Sequence, residues 1–278
     1  MRRSLDGIEY NYIDPTGNIT ILVESDVSPK DYAAVAKRLM GLEKKCEQVG
    51  FVKKSDHADI RLDMAAGEFC GNATMSAAAL FCNKEGMKPG GTRKVVVESS
   101  GTENPVSVNI TREGSERGDG PCVSYRGSVR MPNPRGIDRR ILEYKGRNYT
   151  LPVVDMDGIS HIITSSNELG MTDSEVEYAL KIWWEDIRSS CLGIIIADNV
   201  ERAESSGVLA DVRPLVYAPD VETCFWETSC ASGTTALLYY LNDADSSVIR
   251  LKAKEPGGEL EVGFFPDKGL LLTGTVTV

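Results

Sequence analysis

Short runs rich in β-branched and apolar residues, some of them alternating with polar ones, recur through most of the chain and predict strands. Such runs fall at residues 19–23, 46–52, 60–64, 94–99, 106–111 and 122–131. They resume at 144–151, 152–165, 192–197, 212–217, 249–253, 260–265 and 270–278. Turn chemistry separates them, most clearly Asp14-Pro15-Thr16-Gly17-Asn18 and Pro256-Gly257-Gly258. Helical spacing is rarer. Residues 29–42 carry Tyr32, Val35, Ala36, Leu39 and Met40 on one face, with Ser28 as a plausible N-cap. Residues 173–189 form a second amphipathic stretch containing Trp183 and Trp184. Residues 83–91 read as a loop, and residues 112–121 as a polar, Gly-rich surface hairpin or mobile loop. Pro132-Asn133-Pro134-Arg135-Gly136 breaks the pattern near the middle of the chain.

Two further helices begin in an unusual way. Residues 67–80 read GEFCGNATMSAAAL, a turn feeding a run of small helix formers. Cys70 stands at the predicted helix start, where unpaired N–H groups and the positive dipole end lower a thiol's pKa and favour an anion. Residues 226–238 read WETSCASGTTALL and repeat the arrangement, with Cys230 and Thr234 matching Cys70 and Thr74. One such cysteine is more often a buried structural residue. Two at equivalent starts suggest two similar halves, each presenting one thiol. Two thiols facing one cavity could remove a proton from one face of a carbon and return it on the other.

Composition narrows the field. The 278 residues are 41% hydrophobic, as expected of a folded soluble protein. A net charge of −10 argues against nucleic acid and anionic membranes as partners. No run approaches a membrane span, and MRRSLDGIEYNYIDPTG has no apolar core of a secretory signal, so a cytoplasmic location is expected. Seven cysteines without a CxxC pair, and only two histidines, give little support to a disulfide framework or a zinc site; no metal and no cofactor is expected. GxGxxG, GxxxxGK[ST] and GxSxG are all absent. Asn18 is equally at home as a turn residue, Glu47 and Gln48 on a solvent-facing edge, and His161 in the apolar run GISHIIT as a satisfied core residue.

GEFCGNATMS and WETSCASGTTA resemble the paired cysteine motifs of the diaminopimelate epimerase fold, whose racemases use neither pyridoxal phosphate nor metal. PTGN, CEQVGF, the His161 strand and the PGGELEV turn fall in that family's order, so the resemblance runs over most of the chain. PTGNITILV, CEQVGF, FCGNATMS and the aromatic-Glu-x-Ser-Cys arrangement are similar to its histidine racemase branch, from opine-type metallophore synthesis. The resemblance implies an α+β fold: two similar halves of mainly antiparallel strands, each wrapped on a central helix, with the active site in the cleft between them. One half would hold residues 1–127 and Cys70, joined by closing strands at about 264–278. The other would hold residues 128–263 and Cys230.

The implied activity is cofactor-independent racemisation of a free amino acid, with Cys70 and Cys230 exchanging base and acid roles. Backbone N–H groups at Gly71 and Asn72, and at Ser232, Gly233 and Thr234, would receive the substrate carboxylate. Asn18, Glu47 and Asn72 would line the pocket, with Glu47 toward the substrate side chain. His161 and Glu227 are open as groups that orient the second cysteine's loop. APDVETCFWETSC lacks the Glu-Arg pair with which diaminopimelate epimerase grips a distal carboxylate. Histidine is the first expectation for the substrate, with diaminobutyrate or diaminopimelate as alternatives and a small-molecule amino acid as the only partner implied; a homodimer is left open. The competing class is a non-catalytic ligand-binding protein that senses redox state through a Cys70–Cys230 disulfide.

Overall fold

The structure is a computed structural model that describes residues 2–114, 122–203 and 206–278. Most of the expected 112–121 hairpin or loop lies outside the described residues. In chain order the elements begin β1 (Arg2–Leu5), β2 (Ile8–Pro15), β3 (Thr20–Val23), α1 (Tyr32–Leu42), β4 (Gln48–Lys53) and β5 (Ile60–Met64). Next come α2 (Gly71–Lys84), β6 (Thr92–Ser99), β7 (Val106–Arg112) and β8 (Ser124–Arg130). Then follow β9 (Gly136–Tyr144), β10 (Arg147–Met156), β11 (Ile159–Thr164), α3 (Ser166–Leu169), α4 (Asp173–Ile187), β12 (Cys191–Ala203) and β13 (Gly207–Ala218). The chain ends with β14 (Thr223–Trp226), α5 (Ala231–Ala244), β15 (Arg250–Glu255), β16 (Gly258–Phe265) and β17 (Gly269–Thr277). Two compact units result: Met1–Arg130 with Leu271–Val278, and Met131–Leu270.

In the first unit the strands close on themselves. β2 pairs β3, β3 runs parallel to β4, β4 pairs β5, β5 runs parallel to β6, and β6, β7 and β8 follow as antiparallel neighbours. β17 then pairs both β8 and β2, which completes a barrel and leaves the ring without an edge. α2 lies against β2 through β8. It is buried at every position from Gly71 to Leu80, which explains its run of alanines: strands surround it and leave no room for long side chains. α1 packs outside, burying Tyr32, Ala36 and Leu39, and Tyr32 stacks on Phe51 with ring centroids 3.7 Å apart.

The second unit repeats this order of pairings. β9, β10 and β11 are antiparallel neighbours, β11 runs parallel to β12, and β12 pairs β13. β13 is long enough to pair β14 at one end and run parallel to β15 at the other; β16 then pairs β15. In both units a helix precedes one parallel neighbour, and a cysteine-headed helix precedes the next. α4 starts with a capping box, Thr172 with Glu175, and packs Val176, Ala179, Leu180 and Trp183 into a core shared with Leu142, Leu151, Ile194 and Leu215. α5 rests against β10, β11, β12, β15 and β16.

Several local expectations need correction. Ser28 makes no side-chain cap; a short 3₁₀ turn at Pro29–Asp31 intervenes before α1. Helix α2 runs into the stretch read as a loop and ends at Lys84. The break between β9 and β10 falls at Lys145 and Gly146, whose positive φ values suit a tight hairpin, rather than between Leu151 and Pro152. β9 has mostly exposed residues along its middle, so it shows no alternation to read.

Candidate active site

In the first unit Cys70 is the N-cap of α2, with extended backbone and a half-buried side chain. Its carbonyl accepts the first helical bond from Thr74 N–H at 2.9 Å and a second from Thr74 Oγ1 at 2.7 Å. The Ala73 N–H points at the Cys70 sulfur, 3.4 Å away. A thiolate there would gain from that bond and from the helix dipole. The preceding turn is pinned by Ser100, which accepts from Met64 N–H at 2.9 Å and donates to the Glu68 carbonyl at 2.8 Å. Gly101, at φ +72°, lies so close that a Cβ would meet Phe69 N at 2.2 Å. Burial pushes the Glu68 carboxyl above its ordinary range.

A row of amides leads away from the sulfur. The Cys70 thiol donates to Gln48 Oε1 at 2.9 Å. Gln48 Nε2 donates to Thr20 Oγ1 at 2.8 Å and to Asn18 Oδ1. Asn18 Nδ2 donates to Glu47 Oε2 at 2.5 Å. Asn18 is held by its turn: Asp14 Oδ1 accepts from Gly17 N–H at 2.6 Å, and Thr16 N–H reaches the Thr275 carbonyl at 2.9 Å. Asn18, Glu47 and Cys70 thus come together around Gln48, a residue the sequence placed beside Glu47 without assigning it a role. Gly71 and Asn72 open α2 and are buried.

In the second unit Cys230 is the N-cap of α5 and only 5% exposed. Thr234 closes it as Thr74 closes Cys70: its N–H and Oγ1 reach the Cys230 carbonyl at 2.9 and 2.8 Å. The repeated Cys-x-x-x-Thr spacing therefore has a structural meaning, a threonine one turn on that seals the cap. The Cys230 N–H donates to Glu255 Oε2 at 2.6 Å, and the Thr234 hydroxyl shares its one hydrogen between the Cys230 carbonyl and Oε1 of that buried carboxylate. Cys230 Sγ lies 3.6 Å from Ser232 Oγ, which is 2.9 Å from His161 Nε2. Gly233 fits because a Cβ would meet Ile195 Cδ1 at 2.2 Å and the Cys230 sulfur at 3.2 Å.

Burial pushes the Cys230 thiol well up; Glu227, by charge and hydrogen bond, and the Glu255 charge push the same way, while Ser232 opposes them. Complete burial holds His161 down to about 3, so the imidazole is neutral. Its ring lies over Gly193, where a Cβ would meet Nδ1 at 2.2 Å. Elsewhere, burial drives Cys46 up to about 12 and also raises Cys82 and Cys224.

Glu255 had no sequence role. It sits at the end of β15, 25 positions beyond Cys230, and only the β-pairing brings it under the helix. Among the described residues no three His, Cys, Asp or Glu side chains cluster as metal ligands, and no helix is long and apolar enough to cross a membrane.

Residues 7–272 match the family model described as histidine racemase CntK N-terminal domain. A histidine racemase of Fusobacterium nucleatum is 30% identical over 266 residues, covering 94% of this chain and 90% of that protein. A histidine racemase of Staphylococcus aureus is 26% identical over 267 residues, covering 92% and 88% respectively. A crystal structure of a phenazine biosynthesis PhzC/PhzF protein from Clostridium difficile superposes with a TM-score of 0.54 at 13% identity, covering 97% of this chain and 96% of that one. That last likeness speaks to the fold, a strand-rich architecture with few helices. The chain belongs to the histidine racemase CntK N-terminal domain family.

Proposed function

We propose that this protein racemises free histidine with Cys70 and Cys230 as a base and acid pair, and without a cofactor. Membership of the family makes the chain an isomerase acting on an amino acid. The observation that carries the finer reading is the duplicated cap: each unit heads one helix with a cysteine sealed by a threonine one turn later. In this reading the fold is the epimerase-like one, with each half wrapped on its cysteine-headed helix.

The α-proton of an amino acid is a very weak acid, so the carbanion needs help as it forms. Preorganised N–H donors at the two helix starts, Gly71–Asn72 and Ser232–Thr234, receive the carboxylate on which charge grows. Cys230 enters the cycle as the thiol, because burial, Glu227 and Glu255 all disfavour its charge. Cys70 is then the base toward the enantiomer whose proton faces it, and the roles exchange in the opposite direction.

Glu47 faces the substrate side chain. A carboxylate suits an imidazole N–H, whereas a second substrate carboxylate would be repelled. The test is a panel of L-amino acids in D₂O, with loss of the α-proton signal followed by NMR. Exchange fastest for histidine supports the assignment; exchange fastest for glutamate or diaminopimelate overturns it.

A further inference from the structure

We propose that Gln48 is a positioning residue for the Cys70 thiol: the row Glu47–Asn18–Gln48 turns its carbonyl, and not its NH₂, toward the sulfur. The direction is fixed from both ends of the row. At one end a carboxylate oxygen of Glu47 takes the Asn18 Nδ2 donor, 2.5 Å away. Asn18 must then offer Oδ1 to its other neighbour, and Gln48 Nε2 donates to it. At the other end the Thr20 hydroxyl spends its hydrogen on the Asn18 carbonyl at 3.1 Å. Its lone pairs accept the second Gln48 N–H at 2.8 Å. An amide nitrogen has two hydrogens, and both are used. Only Oε1 is left for Cys70, and the thiol donates to it at 2.9 Å.

The consequence lies in the thiol's acid–base balance. A hydrogen bond accepted from the neutral form favours that form and holds back ionisation. The Ala73 N–H, 3.4 Å from the same sulfur, favours the thiolate. Cys70 therefore sits between an acceptor for its proton and a donor to its charge. A residue that must take a proton in one direction and return it in the other needs both forms within reach. The carboxylate assigned to the substrate side chain is the anchor of this row, so an occupant of Glu47 and the reacting thiol are joined through three side chains. That role in turnover rests on the racemase reading; the hydrogen-bond direction does not, and the decisive measurement uses no substrate.

The experiment compares wild type with Gln48→Met and Gln48→Glu at neutral pH, each confirmed folded by thermal unfolding. Two readouts are taken: thiolate absorbance in the ultraviolet, referenced to Cys70→Ala, and the rate of iodoacetamide alkylation at the Cys70 peptide by mass spectrometry. Met keeps the shape and removes the acceptor, so thiolate content and alkylation at Cys70 should rise roughly tenfold, one hydrogen bond's worth. Glu puts a charge beside the sulfur, so both should fall below wild type. Opposite signs exclude a simple change of access, which absorbance does not sense. Thiolate content unchanged in both variants, or moved the same way in both, overturns the proposal. If the thiol responds as expected and histidine is not racemised, the positioning role stands and the substrate assignment fails. With histidine as substrate, Gln48→Met should lower kcat more than it changes KM.

Discussion

Glu255→Gln tests how the Cys230 cap is held. The carboxylate is 5% exposed and takes the Cys230 N–H at 2.6 Å on one oxygen and the Thr234 hydroxyl on the other. Hydrogen bonds to a charged group contribute about 1.5–3 kcal/mol each, and an anion at a helix N-terminus adds about 0.3–1 kcal/mol. The amide keeps one acceptor and places an NH₂ against one of the two donors. One bond is lost and the other weakened, so the variant should be less stable by about 2–3 kcal/mol. At roughly 2–4 °C per kcal/mol, the melting transition should fall by about 4–12 °C. The same change removes one of the two carboxylates that push the Cys230 thiol up, so its thiolate fraction should rise. The assay is circular dichroism melting with ultraviolet thiolate titration, referenced to Cys230→Ala. A Glu255→Gln protein as stable as wild type, with an unchanged Cys230 thiol, would refute the idea that this carboxylate organises the cap.

Other expectations follow from the same structure. Cys70→Ala and Cys230→Ala should each lower kcat/KM by about 10²–10⁴-fold, the usual worth of a positioned acid or base, in both directions because the two enantiomers are equal in energy; Cys122→Ala, at an exposed site, should retain activity. His161 is neutral when folded, with a pKa near 3 against the ordinary 6.5, so the unfolded chain binds the extra proton and stability is lost as pH falls from 6.5 toward 3. The slope approaches about 1.4 kcal/mol per pH unit, and His161→Gln should flatten the fall of melting temperature between pH 6.5 and pH 5, which calorimetry would read. Glu47→Ala should raise KM for histidine and blunt its advantage over alanine, while Glu47→Gln should be milder, since an amide oxygen still accepts from an imidazole; kcat/KM on both substrates decides it.

The helix starts were legible because their signals are local. A cysteine before small residues, with a threonine four positions on, describes a cap, and the structure gives both cysteines that position. The strands from Ile60 to Met64 and from Leu260 to Phe265 were legible by alternation, since one face of each is buried. β9 escaped because its exposed arginines carry no pattern, and β14 because four residues of mixed exposure give no period. Gln48 and Glu255 escaped as site residues for another reason. Their partners stand 22 and 25 positions away, and only strand register brings each beside its cysteine.

The central claim is that two thiols act on opposite faces of one α-carbon. It is tested most directly by racemising L-histidine in D₂O and separating the enantiomers at low conversion. Two bases predict that D-histidine carries deuterium at Cα from its first appearance, while the remaining L-histidine stays protonated. Deuterium entering both enantiomers at equal rates, or D-histidine that keeps the original proton, would contradict it.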